Sequence, residues 1–324
     1  MRKTLLAIIL LVSCLSAQAQ LIPAPATITF YLKKDGKSVT QIEDADYIRT
    51  ITAISENMFD IKEWYKNNTL KLEGKVSKYQ PSLFFEGLVK RYNLSGKLSE
   101  EVNYEKNIKK GEAKFYYDNG QLKEVVDYIV NPSAPKMDIS GLSGTKSISY
   151  FDSLGVQKVK NGNGFAVRQD GNLIEKGKFT DGFKDSIWVG ENNKTSFSYQ
   201  ETYSNGKFIT GSSIKDGINY TYKELEIMPN FPGGIQEFYK FVGKTYRYPR
   251  EALKNQVSGR LVLTFVIEKD GSLVDIKSLR DLGFETSEEA IRMLKESPSW
   301  IPGKQRGIPV RVQYTLPIML APPR

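Results

Sequence analysis

Side chains that usually carry chemistry are scarce in this sequence. Among 324 residues there is no histidine and one cysteine, Cys14. No Ser/His/Asp or Cys/His nucleophilic pair can be assembled, and no histidine-ligated zinc or iron site. Carboxylate chemistry remains open in principle, because glycoside hydrolysis by an acid pair needs no histidine. The nearest approach to such a pair is Asp44-Ala45-Asp46, which reads better as a solvated turn. Gly162-Asn163-Gly164 lacks the Lys-Ser/Thr that completes a phosphate-binding loop. No other carboxylates stand apart from turn and cap positions. The chain is therefore expected not to be an enzyme, with no catalytic residue, cofactor or metal, and binding is the class left.

Cys14 could carry a different chemistry. Residues 1–19 read as a signal peptide. Arg2 and Lys3 are followed by an apolar run of eleven residues, Leu5 to Leu15, and by Ala17-Gln18-Ala19 as a cleavage site. A membrane span needs ~20 apolar residues, so the run is short for one. Three fates stay open: cleavage after Ala19, lipidation of Cys14 in a lipobox-like Leu11-Val12-Ser13-Cys14, or retention as a short anchor. Each places the body in the periplasm or cell envelope, with membrane attachment only through the leader or a lipid.

The elements that would position a binding site fall into two kinds. Residues 20–228 are β-rich and repetitive. Tyr92-x3-Gly96-x-Leu98-x-Glu100-x-Val102-x-Tyr104 recurs as Tyr116-x3-Gly120-x-Leu122-x-Glu124-x-Val126-x-Tyr128, an offset of 24. Weaker copies lie at Trp64/Asn68/Leu70, Phe151/Gly155, Gly171/Leu173/Glu175 and Gly206/Phe208. Asp118-Asn119-Gly120 is a tight-turn signal, and the residues after it alternate between two faces. A hairpin alone is marginal, so neighbours must pair into a long antiparallel meander. These units resemble MORN-like repeat variants of secreted Bacteroidetes proteins.

Residues 229–324 change period. Ile235, Phe238, Phe241 and Val242 make a helical stripe expected to end at Gly243. Pro249 suits the start of a short helix over Arg250 to Gln256. Gly259 to Glu268 and Leu273 to Leu279 form a hairpin around Asp270-Gly271. Thr286-Ser287-Glu288-Glu289 has capping-box spacing and opens a third helix. Val310 to Ile318 alternates as a last strand. The fold class expected is α+β overall: a β-hairpin repeat meander, then a compact module with a three-stranded antiparallel sheet and flanking helices.

Tyr248-Pro249, Gly259, Asp270-Gly271, Glu289-Ala290, Trp300-x-Pro302-Gly303 and the strand Val310 to Ile318 occur in the order and spacing of the TonB C-terminal domain, which this module resembles. The resemblance implies an energy-transducer-like protein of transmembrane and protein transport. Its partner would be the TonB box of an outer-membrane TonB-dependent receptor, bound by strand addition to a sheet edge. The residues it implicates are Val310, Arg311, Val312, Gln313, Tyr314, Thr315 and Leu316. Pro317 marks an edge strand, either as a binding edge or as protection against aggregation. The alternative is an envelope scaffold with other protein partners and no energy-transducing role. The net charge is +9. With no aromatic-basic motif in an exported chain, nucleic acid is not an expected partner.

Overall fold

The computed structural model describes residues 26–129 and 145–322; the signal peptide, Cys14 and the Asn131-Pro132-Ser133-Ala134-Pro135 segment lie outside the described residues. Antiparallel strands dominate, and only 10% of the chain is helical. The overall α+β class is thus corrected to mostly β. The reason is the extent of each period: helical spacing is confined to residues 235–295, while the long N-terminal region alternates every second residue and pairs as a meander.

The chain divides into two compact units, Met1–Lys110 and Gly111–Arg324. In the first, strands Tyr47–Ser55, Met58–Tyr65, Leu70–Lys78, Phe84–Tyr92 and Leu98–Glu105 each pair antiparallel with the next. Ile51, Ile61, Leu72, Val76 and Val89 share its buried face. The Asp46 carboxylate accepts the Lys34 amide at 2.9 Å.

The second unit continues as a meander from Leu122–Tyr128 to Ile218–Tyr222. The expected repeat has a structural counterpart in its turns. At 93–97 and at 117–121 the first amide bonds the fifth carbonyl, and the glycine amide bonds the first carbonyl. The same two bonds close the turns at 33–37 and 152–156, and Asn68 replaces glycine in the turn at 65–69. This is a three-residue hairpin loop with a bulge, and its last position is left-handed, as Gly96 and Gly120 are. A second device repeats across strands. Gly177, Gly190 and Gly211 lie directly opposite Trp188, Tyr199 and Tyr222. Each ring covers its glycine so closely that an added Cβ would stand 2.1–2.4 Å from ring carbons.

The C-terminal module belongs to the second unit and has helices α1 (Ile235–Thr245), α2 (Arg250–Lys254) and α3 (Thr286–Lys295). Its sheet is three-stranded, with Gly259–Ile267 in the centre, Leu273–Arg280 on one edge and Val312–Leu320 on the other. Leu261, Leu263, Phe265 and Ile267 face the helices. There they pack with Phe238, Ala290, Met293, Leu294, Leu316 and Ile318 in one core.

Three local expectations change. Gly243 does not end α1, which runs two residues further to Thr245. The capping box does not form. The helix starts at Thr286 itself, and the Thr286 and Ser287 hydroxyls donate to Asp281 at 3.0 and 2.6 Å. Glu289 instead accepts the Arg247 amide at 2.7 Å. The last strand begins at Val312 rather than Val310 and extends to Leu320.

Candidate functional site

Gly271, Trp300 and Gly303 hold the edge strand in place. Trp300 is buried, with its ring 5.4–5.7 Å from those of Phe231, Phe238, Phe265 and Tyr314. Its indole N–H donates to Ser297 at 3.1 Å and its backbone N–H to the Gly271 carbonyl at 2.8 Å. Gly271 has a φ of 85°, and a Cβ there would lie 1.9 Å from the Trp300 carbonyl oxygen. The turn of the first hairpin therefore seats directly on the tryptophan backbone. Pro302 and Gly303 then lead the chain past Pro229, where only glycine clears the Val312 methyl. Farther off, the Tyr248 hydroxyl bonds the Val257 carbonyl, and Pro249 immediately precedes α2. Gly259 opens the central strand against Leu282.

The edge strand alternates cleanly. Val312, Tyr314, Leu316, Ile318 and Leu320 turn inward, the last three fully, while Gln313, Thr315 and Met319 are exposed. Gln313 donates through its side chain to the Thr264 hydroxyl at 3.3 Å, across the face away from the helices. The ladder with the central strand holds nine consecutive pairs, Ile267↔Val312 to Gly259↔Leu320, with no shift. Leu273–Arg280 on the opposite edge is interrupted twice, between Val262/Leu263 and between Thr264/Val266. Pro317 sits opposite Val262. A proline fits a ladder only where its nitrogen faces away from the partner strand. Alternation then sends the Gln313, Thr315 and Met319 amides outward as well. Among the described residues no backbone hydrogen bond reaches that outer side.

Two of the expected site residues are placed differently. Val310 lies before the strand and donates its amide to the Gly303 carbonyl at 2.9 Å. Arg311 also precedes it and is engaged by Glu268 at 2.6 Å and Asp275 at 3.1 Å. The Glu268 hydrogen bond, more than the surrounding charge, raises its pKa.

Sequence reasoning missed a second feature altogether. Lys304–Gln305 and Ile308–Pro309 make a small hairpin that pairs with Glu226–Ile227. Its tip, Arg306, enters the repeat sheet. The guanidinium donates to Glu201 at 2.7 Å and lies 4.0 Å above the Tyr199 ring. The Arg306 amide donates to the Leu225 carbonyl at 2.7 Å, and its carbonyl accepts the Ser213 hydroxyl at 2.8 Å. Glu201 is 0% exposed and also accepts the Tyr203 and Tyr222 hydroxyls at 2.8 and 2.9 Å. Burial opposes charge on Arg306, but the hydrogen bond and attraction of Glu201 outweigh it and raise the guanidinium pKa. Burial, then the Glu201 charge, pushes the Tyr203 and Tyr222 hydroxyls well above their ordinary value. Glu201 and Arg306 are 105 residues apart, so no local pattern joins them.

Among the described residues no cluster of three or more His, Cys, Asp or Glu could hold a metal ion. No helix among them is long and apolar enough to cross a membrane. No curated protein matches the chain. Residues 244–319 match the family model described as Gram-negative bacterial TonB protein C-terminal, and that stretch supports a TonB-family protein of the cell envelope or periplasm involved in TonB-dependent transport.

Proposed function

We propose that this is an exported binding protein, not an enzyme, whose C-terminal module captures an extended peptide segment of an outer-membrane transporter and so takes part in, or regulates, TonB-dependent transport. The observation that carries the reading is the Val312–Leu320 edge: nine pairs without a shift on one side and no backbone partner among the described residues on the other. An added strand gains main-chain hydrogen bonds there, and the exposed Gln313 and Thr315 read its side chains. The opposite edge is bulged, the form in which edges resist pairing. Export rests on the leader of residues 1–19, and the repeat region is read as a MORN-like scaffold of the Bacteroidetes type.

An NMR titration with TonB-box-like peptides tests the edge. Shifts are expected along 312–320, and they should vanish with a backbone N-methylated peptide. Gln313→Pro removes an outward amide and the side-chain bond to Thr264 but leaves the ladder to the central strand intact, so it should leave the protein folded and abolish binding. Intact, folded protein with no shifts along this strand would sink strand addition. The scaffold reading would then lead, favoured by the exposed apolar face of the repeat sheet, where Phe165, Val167 and Ile187 are all more than half exposed.

A further inference from the structure

The three-stranded sheet has one covered face and one open face. The helices and the aromatic core cover the first. The register places Arg260, Val262, Thr264 and Val266 of the central strand on the second, beside Gln313, Thr315, Pro317 and Met319 of the edge strand. From the opposite edge, Lys277 lies across from Thr264 and Arg280 across from Val262. Met319 is 70% exposed.

Charge is distributed unevenly over this face. At the Val312 end, Glu268 and Asp275 are both engaged by Arg311. Arg260 and Arg280 lie toward the Leu320 end and Lys277 midway, across from the Thr264–Thr315 pair; all three are exposed, and no hydrogen bond or ion pair is found for any of them among the described residues. The carboxylate next to Arg280 in sequence, Asp281, is turned away into the first turn of α3, where it accepts the Thr286 and Ser287 hydroxyls. The free edge therefore runs from a neutralised end to an uncompensated basic one.

We propose that the segment joining this edge is an acidic peptide, with its carboxylate at the Leu320 end over the open face, and that Arg260 is the residue that reads it. This rests on the strand-addition reading and adds to it the chemistry of the partner. Arg260 is paired with Met319, so an added strand lies about two strand spacings, ~10 Å, from it, a gap that two long side chains can close. Lys277 and Arg280 stand farther off and act through a field that salt screens over ~8 Å at physiological ionic strength. Arg311, the basic residue nearest the start of the strand, is already satisfied and contributes little to the choice.

The test uses the purified protein and three extended peptides of one apolar sequence: neutral, with Glu at the N-terminal end, and with Glu at the C-terminal end. Binding is read by NMR shifts along 313–319 and by fluorescence anisotropy at two salt concentrations. One acidic peptide should bind about 3–10-fold more tightly than the neutral one at low salt, and about 2-fold at physiological salt. The preferred end gives the strand direction. Arg260→Glu should erase the preference, whereas Lys254→Glu, the same charge change on α2, should keep it. If all three peptides bind the edge equally, the acidic-partner inference is overturned and strand addition stands. If none binds, strand addition itself fails. If Arg260→Glu instead weakens binding to phosphatidylglycerol vesicles with no peptide preference, the face reads lipid and the inference is wrong.

Discussion

The repeat sheet of the second unit and the C-terminal module solve burial in opposite ways. The C-terminal core is apolar. Thirteen hydrophobic residues lie together in it, with Trp300 in ring contact with four aromatic neighbours. The repeat sheet buries aromatic rings over glycines and, among them, the carboxylate of Glu201 with its arginine and two tyrosines. A buried charge is tolerated only when its hydrogen bonds are complete. The contrast teaches where each region breaks: the module by losing volume, the sheet by losing a partner.

The largest effect is expected at the apolar core. Trp300→Ala should cost ~3–5 kcal/mol, as truncation of a buried large aromatic does. Urea denaturation followed by Phe and Tyr signals of the module measures it, and a mutant that melts like the parent would remove Trp300 from its central role. Next comes the polar lock. Arg306→Ala leaves Glu201 buried with only two hydroxyl donors, a loss of ~3 kcal/mol, at the low end for breaking a buried pair. The paired test is Arg306→Ala with Glu201→Gln: the double mutant should recover part of the loss, because the orphaned charge is gone. Losses that simply add would mean the two residues do not act as a pair.

Gly190→Ala probes the glycine–aromatic device. The new Cβ would stand 2.1 Å from Tyr199, and the overpacking should cost ~1–3 kcal/mol. Far-UV and near-UV melting of the variant measures the loss, and a neutral result would mean the ring has room to move.

Alkaline titration probes the buried tyrosines of the sheet. The Tyr199, Tyr203 and Tyr222 hydroxyls have folded pKa values raised above the ordinary 10.0, mainly by burial and then by nearby carboxylates. Groups whose pKa is raised on folding add stability that is complete below the unfolded value and is lost as pH rises through the folded one. The sheet should therefore weaken above pH 10, with tyrosinate absorbance appearing together with unfolding. Burial lowers the Lys184 pKa against the pull of Glu175, so this one group works in the other direction. Tyrosinate that appears before any unfolding would show the rings to be accessible. The smallest effect is expected at Arg311→Ala, an exposed pair with no measurable consequence for melting; a clear drop would make the Arg311–Glu268 contact a structural one.

The strand that carries the candidate site was readable beforehand, and for identifiable reasons. The alternation of Val312, Tyr314, Leu316 and Ile318 specifies a strand with one buried face, and Pro317 specifies that it borders the sheet. The turn positions Gly96 and Gly120 announce themselves, because a left-handed residue is needed where each sits. Strand ends were less readable. Val310 and Arg311 continue the alternating pattern, but the amide of one is taken by Gly303 and the side chain of the other by two carboxylates. Thr286 and Glu289 have the spacing of a capping box, yet Asp281 and Arg247 offer them better partners.

Sequence by itself determined the periods, the turns and the faces, since these depend on residues two to five positions apart and on steric limits that hold in any context. Tertiary structure alone decided which edge is smooth and which is bulged, that Arg306 meets Glu201, and that Arg260 finds no counter-ion among the described residues while Arg311 finds two. Those outcomes depend on register and on competition among partners brought together by folding. A charged side chain looks the same in sequence whether its counter-ion waits across the sheet or nothing does.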